Sequence, residues 1–394
     1  MSNVYSWARL FTRTAAAAVG REGRPTKLMF VVTKRCHSRC VYCDIWKVKD
    51  TPGALDAELR LDEIKALAAA NRFFQWIDFT GGEPTDHPHF AEVVEAFDAQ
   101  CPDLLLVHFP TNGLATERIE RTVRRIQERV KARLVVTVSI DGPPEINDRL
   151  RGVPRDFAHA VATFGKLREL LGASNVFVGM TLHGHTGSCG MSTAELVERT
   201  HAAVDAALLA DGRAGLPWSS LHLNIPHVSQ HYYDNQAAEA VGGFGGAAHR
   251  AEAAEALRLA AQRTGRDGSL PMRILERIYR TEAERYLATG RSGIGCSALL
   301  STVYLSEKGE VYPCTIWDRP LGNVRQSAYT LMPLIEAARE AGVRKAIVQQ
   351  KCPNCWTPCE AYPAIGASPL AAAKALIHSL KATSATATQQ ENPS

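Results

Sequence analysis

Three cysteines lie close together near the start of the chain, in the segment from Thr33 to Trp46. Cys36, Cys40 and Cys43 are separated by three and then two residues. Three thiolates on one short loop can hold three irons of a four-iron cluster, and no fourth cysteine lies nearby in the sequence, so one iron would stay open to an outside ligand. A structural zinc site takes four closed ligands, usually from paired C-x2-C units, and fits this loop poorly. The spacing therefore predicts an iron–sulfur cluster that does chemistry.

The same segment resembles the signature of the radical S-adenosylmethionine (SAM) enzymes, because aromatic Tyr42 stands just before the third cysteine of C-x3-C-x2-C. In that family the amino and carboxylate groups of SAM bind the open iron, and one electron from the reduced cluster cleaves SAM to a 5′-deoxyadenosyl radical. The resemblance implies that Cys36, Cys40 and Cys43 are the catalytic cluster ligands. It extends over most of the chain, from about Lys27 to Tyr362.

Length and composition set the class of protein. With 394 residues and 45% apolar content, the chain can bury one core of barrel size and a smaller attached domain. The formal charge of +4 is small against 45 basic and 41 acidic residues, which argues against a nucleic-acid partner. No run of 18 apolar residues is present, so no stable membrane insertion is expected. Clustered cysteines without a secretory leader indicate a cytoplasmic protein.

Short β-rich runs alternate with helical segments from Leu28 onward, which is typical of parallel βα units. Mostly apolar runs predict six strands at 28–33, 76–80, 104–110, 134–140, 176–182 and 221–225. Helices are predicted at 61–73, 90–99, 116–130, 157–171 and 192–209. Six right-handed units curve toward a barrel but fall short of the eight needed for closure. The predicted fold class is therefore α/β, a partial (β/α)6 TIM-type barrel, which is also the core of the family.

In such a barrel the chemistry lies at the C-terminal ends of the strands. Gly81, Gly82, Glu83 and Pro84 follow the second strand, where the glycines allow close backbone approach and the carboxylate can accept from an ammonium group. The stretch matches the family's GGE motif, which binds the amino group of SAM. Taken alone, it would be ordinary loop punctuation.

Polar residues also follow the third and fourth strands. Asn112 ends the third, and Ser139 and Asp141 end the fourth. Hydroxyl and carboxylate groups suit ribose, and an arginine suits a carboxylate. The stretch and its trailing D-x-x-R-G look like the family's SIDGP segment, which makes Ser139 and Asp141 ribose contacts and Arg151 a carboxylate contact; Asn147 stands where the family usually has histidine. From the residues alone, Asp141 could equally be part of an Asp-Gly turn.

Residues after the fifth and sixth strands have no assigned role. His183 and His185 could face substrate or cap a strand, and Cys189 keeps a small chance of a catalytic role. The loop after the sixth strand carries polar and aromatic residues placed to line the mouth of a pocket: Asn224, His227, His231, Tyr232 and Tyr233.

A second cysteine group lies toward the C-terminus: Cys296, Cys314, Cys352, Cys355 and Cys359. Two β-rich runs around a Glu-Lys-Gly turn predict a hairpin that brings the first two together. The pattern is similar to the auxiliary-cluster domains called SPASM and twitch. Five thiolates supply one four-iron cluster with one left over, which favours the shorter twitch-like form. The preferred ligands are Cys296, Cys314, Cys352 and Cys355, with Cys359 as the spare or alternative; a zinc ribbon is the other interpretation.

Composition shifts divide the chain into five parts. An N-terminal helical extension at 1–26 precedes the barrel at 27–235, and an Ala/Gly-rich stretch leads into a helical connector at 236–290. A small cysteine-rich hairpin and helix domain follows at 291–365, with its helix predicted from about 329 to 348, and 366–394 is a helix with a disordered tail.

The resemblance implies an enzyme that cleaves SAM reductively and abstracts a substrate hydrogen. Its cofactors would be SAM, one SAM-binding 4Fe-4S cluster and one auxiliary 4Fe-4S cluster that relays an electron, and its partners a small molecule to be oxidised, crosslinked or epimerised and a reductant such as flavodoxin or ferredoxin. A ribosomal peptide maturase is the alternative, less favoured because residues 1–26 are too few for a leader-binding domain. An iron–sulfur scaffold or electron carrier is a third hypothesis, which the SAM motifs count against.

Overall fold

The computed structural model describes residues 23–182, 190–236, 246–264 and 270–377, together with Thr12 and Ala16. Most of the predicted N-terminal extension and of the Ala/Gly-rich stretch lies outside the described residues. His183, His185, Cys189 and the tail beyond 377 also lie outside them.

Six parallel strands form the barrel. They are β1 (Lys27–Thr33), β2 (Trp76–Gly81), β3 (Leu106–Thr111), β4 (Arg133–Ser139), β5 (Val176–Thr181) and β6 (Leu221–Asn224). Each strand pairs in parallel with the next one along the chain. The predicted partial barrel of parallel strands is confirmed.

The two faces of these strands differ in polarity. Phe30, Phe79 and Val136 are fully buried and belong to the main apolar core under the helices. Neighbouring positions such as Asp78 and His108 face the barrel interior and line a cavity there. The outward positions of the strands are apolar and make each strand sequence look like an apolar run. Many of the inward positions between them are nevertheless polar.

Helices cover the barrel: α1 (Leu61–Ala70), α2 (Phe90–Gln100), α3 (Thr116–Arg129), α4 (Pro144–Arg151), α5 (Asp156–Leu171) and α6 (Thr193–Ala210). Helix α1 ends three residues before the predicted end, because the Asn71 side chain donates to the Leu67 carbonyl at 2.7 Å and caps the helix. Helix α4 was not predicted. It begins after Pro143 with a proline in its first turn and ends at Gly152, whose φ of 69° is left-handed.

The predicted helical connector forms α7 (Ala247–Arg263) and α8 (Leu270–Thr289). Helix α8 lies along the open edge of the barrel at β6. The Tyr279 hydroxyl donates to the Leu223 carbonyl at 3.3 Å, and the Arg280 guanidinium donates to the Leu221 carbonyl at 3.4 Å. The connector thus satisfies carbonyl groups that an edge strand would otherwise expose.

The C-terminal part extends the barrel sheet. The predicted hairpin is β7 (Thr302–Leu305) with β8 (Glu310–Tyr312), followed by the short β9 (Gly322–Asn323). Strand β7 pairs in parallel with β1, so the described strands form one sheet in the order β6-β5-β4-β3-β2-β1-β7-β8-β9.

Helices complete the C-terminal part. The single helix predicted at 329–348 is wrong: α9 (Met332–Glu340) and α10 (Val343–Val348) are separated at Gly342, which has a left-handed φ of 78°. Helix α11 (Pro358–Ala367) follows, and residues 369–377 are helical. Within the described residues, no helix is both long and apolar enough to cross a membrane.

Candidate active site

The three loop cysteines meet just beyond the end of β1. Cys40 is buried, and Cys36 and Cys43 are half-buried. The loop is held against the end of α4, because the Arg39 and Val41 amides donate to carbonyls of that helix at 2.8 and 3.0 Å. Burial and, to a lesser extent, the nearby Cys40 together raise the pKa of the Cys36 thiol to about 12. The structure thus brings together the three predicted cluster ligands.

Gly81 and Gly82 bring the end of β2 into backbone contact with the cysteine loop. The Gly82 amide donates to the Thr33 carbonyl at 2.9 Å, and the next amide donates to the Arg35 carbonyl at 2.7 Å. A Cβ atom at Gly81 would lie 2.2 Å from the Thr33 oxygen, and one at Gly82 would lie 2.1 Å from the Arg35 oxygen. Gly81 also has a φ of 134°, which side chains rarely allow. The pair of glycines is therefore required by this close approach.

Glu83 lies behind the cavity wall. Its carboxylate is 1% exposed and accepts from Thr85 and Thr111 hydroxyls at 2.6 and 3.0 Å. It also accepts from the Asn112 amide at 2.7 Å and the Thr85 amide at 3.2 Å. Burial raises the pKa of this carboxyl. Glu83 therefore fixes the ends of β2 and β3 to each other, and its contact with the SAM amino group stays a prediction. Pro84, the next residue, is buried in the following turn.

A buried network joins the cysteine loop to β4 and α4. The Tyr42 hydroxyl donates to the Asp141 carboxylate at 2.5 Å, and Arg151 Nη1 pairs with the same oxygen at 3.1 Å. The other Asp141 oxygen accepts from the Thr181 amide at 2.8 Å. Asn147 Oδ1 accepts from the Asp141 amide at 2.8 Å. Asp141 is therefore engaged on both oxygens, and its predicted ribose contact is untested.

Arg151 is the arginine that the sequence predicts to contact a carboxylate. It lines the cavity, and its Nε is buried without a hydrogen-bond partner among the described residues. Asn112 and Ser139 also line the cavity, and Asn112 Nδ2 lies 3.9 Å from Cys36 Sγ. Polar donors thus surround the space beside the three thiols.

The cavity has a volume of about 320 Å³ and extends from the cysteine loop into the barrel interior. The predicted site residues on its wall are Cys36, Cys40, Tyr42, Cys43, Gly81, Gly82, Asn112, Ser139 and Arg151. The lining residues at the end of β6 and after it are Asn224, Ile225, Pro226, His227, Tyr232, Tyr233 and Asn235. Four of the five residues expected at the pocket mouth are among them, whereas His231 is not.

Sequence reasoning missed a polar network deeper in the barrel. Asp78 pairs with Lys27 at 2.6 Å, accepts from the Trp76 indole at 2.8 Å, and lies 3.0 Å from His108 Nδ1. His108 Nε2 lies 2.9 Å from the Thr137 hydroxyl. The sequence signal for this network is a polar residue at every second, inward-facing position of strands that are otherwise apolar.

The C-terminal cysteines separate into two sets. Burial raises the pKa of Cys355, and Cys314 and Cys296 raise it further, so these three thiols are neighbours. Cys352 likewise adds to the raised pKa of Cys296. Cys359 lies apart on the cavity wall and packs against the cluster of Met29, Val31, Tyr232, Tyr304 and Tyr312. Cys359 therefore lies apart from the other four cysteines, and the choice of cluster ligands among the five stays a prediction.

The donor sets fit iron–sulfur clusters in type. Among the described residues, no three Cys, His, Asp or Glu side chains are arranged to hold a single metal ion. A single zinc ion needs its thiolates within about 2.3 Å of one point. A four-iron cluster binds each thiolate at a different iron, which needs wider spacing. Three thiols and the Arg151 side chain on one cavity wall fit a cluster with an amino-acid ligand.

Comparisons with known sequences identify relatives of the barrel. Residues 30–197 match the model of the Radical SAM superfamily. Mycofactocin maturase MftC of Mycobacterium ulcerans is 30% identical over 206 residues, which cover 50% of this chain and 51% of that protein. GTP 3′,8-cyclase of Haemophilus ducreyi is 32% identical over 145 residues, 34% of this chain and 41% of that protein. The chain thus spans about half the length of the curated relatives it matches, or less.

Solved structures share the fold. Native anSMEcpe with bound AdoMet and Cp18Cys peptide aligns with a TM-score of 0.57 at 14% identity, over 90% of this chain and 99% of that one. Streptococcus suis SuiB bound to precursor peptide SuiA aligns with a TM-score of 0.52 at 13% identity, over 86% and 72% of the two chains. Both similarities agree with the partial barrel.

Proposed function

We propose that the chain is a radical SAM enzyme, which cleaves SAM reductively and abstracts a hydrogen atom from its substrate; the match of residues 30–197 to the model of the Radical SAM superfamily supports this. Cys36, Cys40 and Cys43 would hold a 4Fe-4S cluster, which supplies the electron for SAM cleavage when bound. The observation that carries the proposal is that all three thiols line a cavity leading into the barrel.

The backbone of Gly81 and Gly82 is the part of the GGE motif that lines the cavity. We assign to it the contact with the SAM amino group, and to Glu83 the task of fixing that backbone through its buried hydrogen bonds. Arg151, which lines the cavity, is assigned to the SAM carboxylate. Ser139 and Asn112, which also line the cavity, are assigned to the ribose.

A direct test is the formation of 5′-deoxyadenosine by the anaerobically reconstituted protein with dithionite and SAM. We expect the wild-type chain to form it and the Cys36→Ala/Cys40→Ala/Cys43→Ala variant to form none, with about four of eight irons lost. Cys101→Ala is the matched control, because that thiol is buried in the main core away from the cavity. Full iron loading without deoxyadenosine in the wild type would favour a scaffold or electron carrier.

A second proposal concerns Cys296, Cys314, Cys352 and Cys355, which would hold an auxiliary 4Fe-4S cluster of the twitch type. Its support is the proximity of these thiols to one another and the separate position of Cys359. Four protein thiolates close such a cluster, so it can serve as an electron relay. Iron analysis should show about four irons lost in Cys355→Ala and none in Cys359→Ala. Zinc at this site would remove the redox role.

The substrate is proposed to be a peptide. Support comes from the relative named mycofactocin maturase, 30% identical over 206 residues. A small molecule is the second candidate, because another relative is named GTP 3′,8-cyclase. Co-expression with short peptides encoded beside the gene, followed by mass spectrometry, tests the choice. A mass change that requires Cys36 would support a peptide, whereas unchanged peptides throughout would favour the small molecule. A reductant such as flavodoxin or ferredoxin completes the proposed system.

A further inference from the structure

Residues 226–235, here called the linking loop, follow β6 and touch the first cysteine group. The Asp44 amide, next to Cys43, donates to the Tyr233 carbonyl at 3.1 Å. Cys43 Sγ lies 3.9 Å from the same carbonyl. Asn235 Nδ2 donates to the Tyr42 carbonyl at 3.2 Å. The linking loop thus fixes the backbone around the third cysteine.

The same loop touches the C-terminal cysteine group. His231 Nε2 donates to the Cys314 carbonyl at 3.0 Å, and the Ser229 hydroxyl donates to the Thr315 carbonyl at 2.7 Å. The Trp356 amide, next to Cys355, donates to His227 Nε2 of the linking loop at 3.3 Å. The backbone of Cys314 is therefore hydrogen-bonded to the linking loop, and so is the backbone of the residue that follows Cys355.

Internal bonds make the linking loop stiff. Asn235 Oδ1 accepts from the Ser229 amide at 3.0 Å, and its Nδ2 also donates to the His227 carbonyl at 3.2 Å. Ser229 Oγ accepts from the Tyr232 amide at 3.3 Å. Asn235 and Ser229 are 3% and 1% exposed, so water does not compete for these bonds. One asparagine thus joins both ends of the loop to the Tyr42 backbone.

We propose that the linking loop couples the two cysteine groups, with Asn235 as the positioning residue that transmits the state of the C-terminal group to the SAM-binding loop. The inference rests on the proposed function and adds a regulatory link to it. A filled C-terminal site holds the Cys314 and Trp356 backbone in place, and the linking loop then holds Tyr42 to Asp44. Coupling between two sites is expressed as a factor in ligand affinity, typically about 5–150-fold.

The test is a double-mutant cycle on SAM affinity, measured by equilibrium binding to reconstituted wild-type, Cys355→Ala, Asn235→Ala and doubly substituted protein. We expect each single variant to bind SAM at least about fivefold more weakly. The double variant should bind SAM no more weakly than the weaker-binding of the two single variants, because both changes disrupt the same path through the linking loop. Effects that multiply in the double variant, or unchanged affinity in Cys355→Ala, would overturn the coupling.

Gln230→Ala is the matched control. Gln230 is exposed in the same loop, and its side chain bonds to Asp234 and to neither cysteine group. It should leave SAM affinity and the response to Cys355→Ala unchanged. If Asn235→Ala fails to load iron, Ser229→Ala takes its place in the cycle, since it removes the bond to the Thr315 carbonyl.

A spectroscopic readout separates coupling from simple destabilisation. The electron paramagnetic resonance (EPR) signal of the loop cluster should change shape in Cys355→Ala and no further in the double variant. A wild-type protein that binds no SAM would refute the proposed function itself. A protein that binds SAM equally well with and without the second site would refute only the coupling.

Discussion

The two cysteine groups differ in number and in what they face. Cys36, Cys40 and Cys43 line the cavity, whereas of the C-terminal cysteines only Cys359 is among its described lining residues. Cys296, Cys314 and Cys355 instead lie within or against the main apolar core. On the proposed function, three thiols at a cavity would leave one iron open to a ligand, while four thiols beside a core would close their cluster. The difference would then separate a site that reacts from a site that relays.

The surroundings of the first group point the same way. An ion pair between Asp141 and Arg151 lies beside the cysteine loop, and both side chains are over nine-tenths buried. A buried charged network is costly unless its members are all satisfied. Arg151 lines the cavity, and its buried Nε has no hydrogen-bond partner among the described residues, so the network is not fully satisfied.

The largest effect should separate radical generation from electron disposal. Cys355→Ala should keep 5′-deoxyadenosine formation at saturating SAM but lose oxidised product entirely, because the three loop cysteines are unchanged and saturating SAM offsets the weaker SAM binding expected of this variant. The loss of both in that variant would break the comparison, and retained product would remove the relay role. Cys359→Ala is the control and should keep its iron, since its thiol faces the cavity. Chromatography of both products checks this.

Arg151→Met should be the most destabilising single change near the first group. Removing one partner leaves the buried Asp141 carboxylate unpaired, which costs about 3–5 kcal/mol. Urea unfolding of the cluster-free proteins measures it. The exposed pair of Arg60 and Asp62 serves as comparison, and Arg60→Ala should leave the unfolding free energy close to that of wild type. Equal losses of unfolding free energy in the two variants would show that the pair of Asp141 and Arg151 contributes no more to stability than an exposed ion pair.

Glu83→Gln should have an intermediate effect. Its amide group replaces one acceptor oxygen by a donor facing the Thr111 hydroxyl and the Asn112 amide, at a cost of about 1–3 kcal/mol. SAM affinity and unfolding free energy should fall together, because Glu83 acts through the backbone. Exposed Glu117→Gln is the control. A loss of affinity without any loss of stability would show instead that Glu83 contacts SAM directly.

The smallest effect concerns the contact between the barrel and the C-terminal part. Arg325 donates to Glu63 at 2.7 Å and lowers the pKa of that carboxyl from 4.5 to about 2. Because the folded-state pKa is depressed, the stabilisation is present above about pH 4.5 and is lost as the pH falls toward 2.

Arg325 is one-third exposed, so solvent limits the contribution to about 1–2 kcal/mol. Arg325→Met should reduce the unfolding free energy at pH 7 by that amount, and the difference from wild type should shrink between pH 4.5 and 3. A difference independent of pH would show that Glu63 keeps its low pKa without Arg325.

The fold was predictable where apolar runs are strong. Strands β1 to β6 lie within two residues of their predicted bounds, because the outward positions of parallel strands are uniformly apolar. Helix α4 was missed because its eight residues, PEINDRLR, are mostly polar and begin with the second proline of a Pro-Pro pair. The break at Gly342 was missed because the residues on both sides are good helix formers.

The candidate site was predictable in its residues but not in their orientation. A motif places Glu83 at a strand end, yet only the packing of Thr111 and Asn112 turns its carboxylate away from the cavity. Asp78 and His108 were missed because they stand alone in strands that otherwise read as apolar. The linking loop contacts depend on residues nearly 90 positions apart, such as Ser229 and Thr315, which no local pattern reveals.

The central claim is that the loop cluster is open to SAM and the C-terminal cluster is closed. EPR of the dithionite-reduced protein with and without SAM tests it most directly. SAM should perturb the signal that is lost in the Cys36, Cys40 and Cys43 alanine variant, and leave unchanged the signal that is lost in Cys355→Ala. A spectrum that SAM leaves unchanged, or a change confined to the signal that depends on Cys355, would contradict the account.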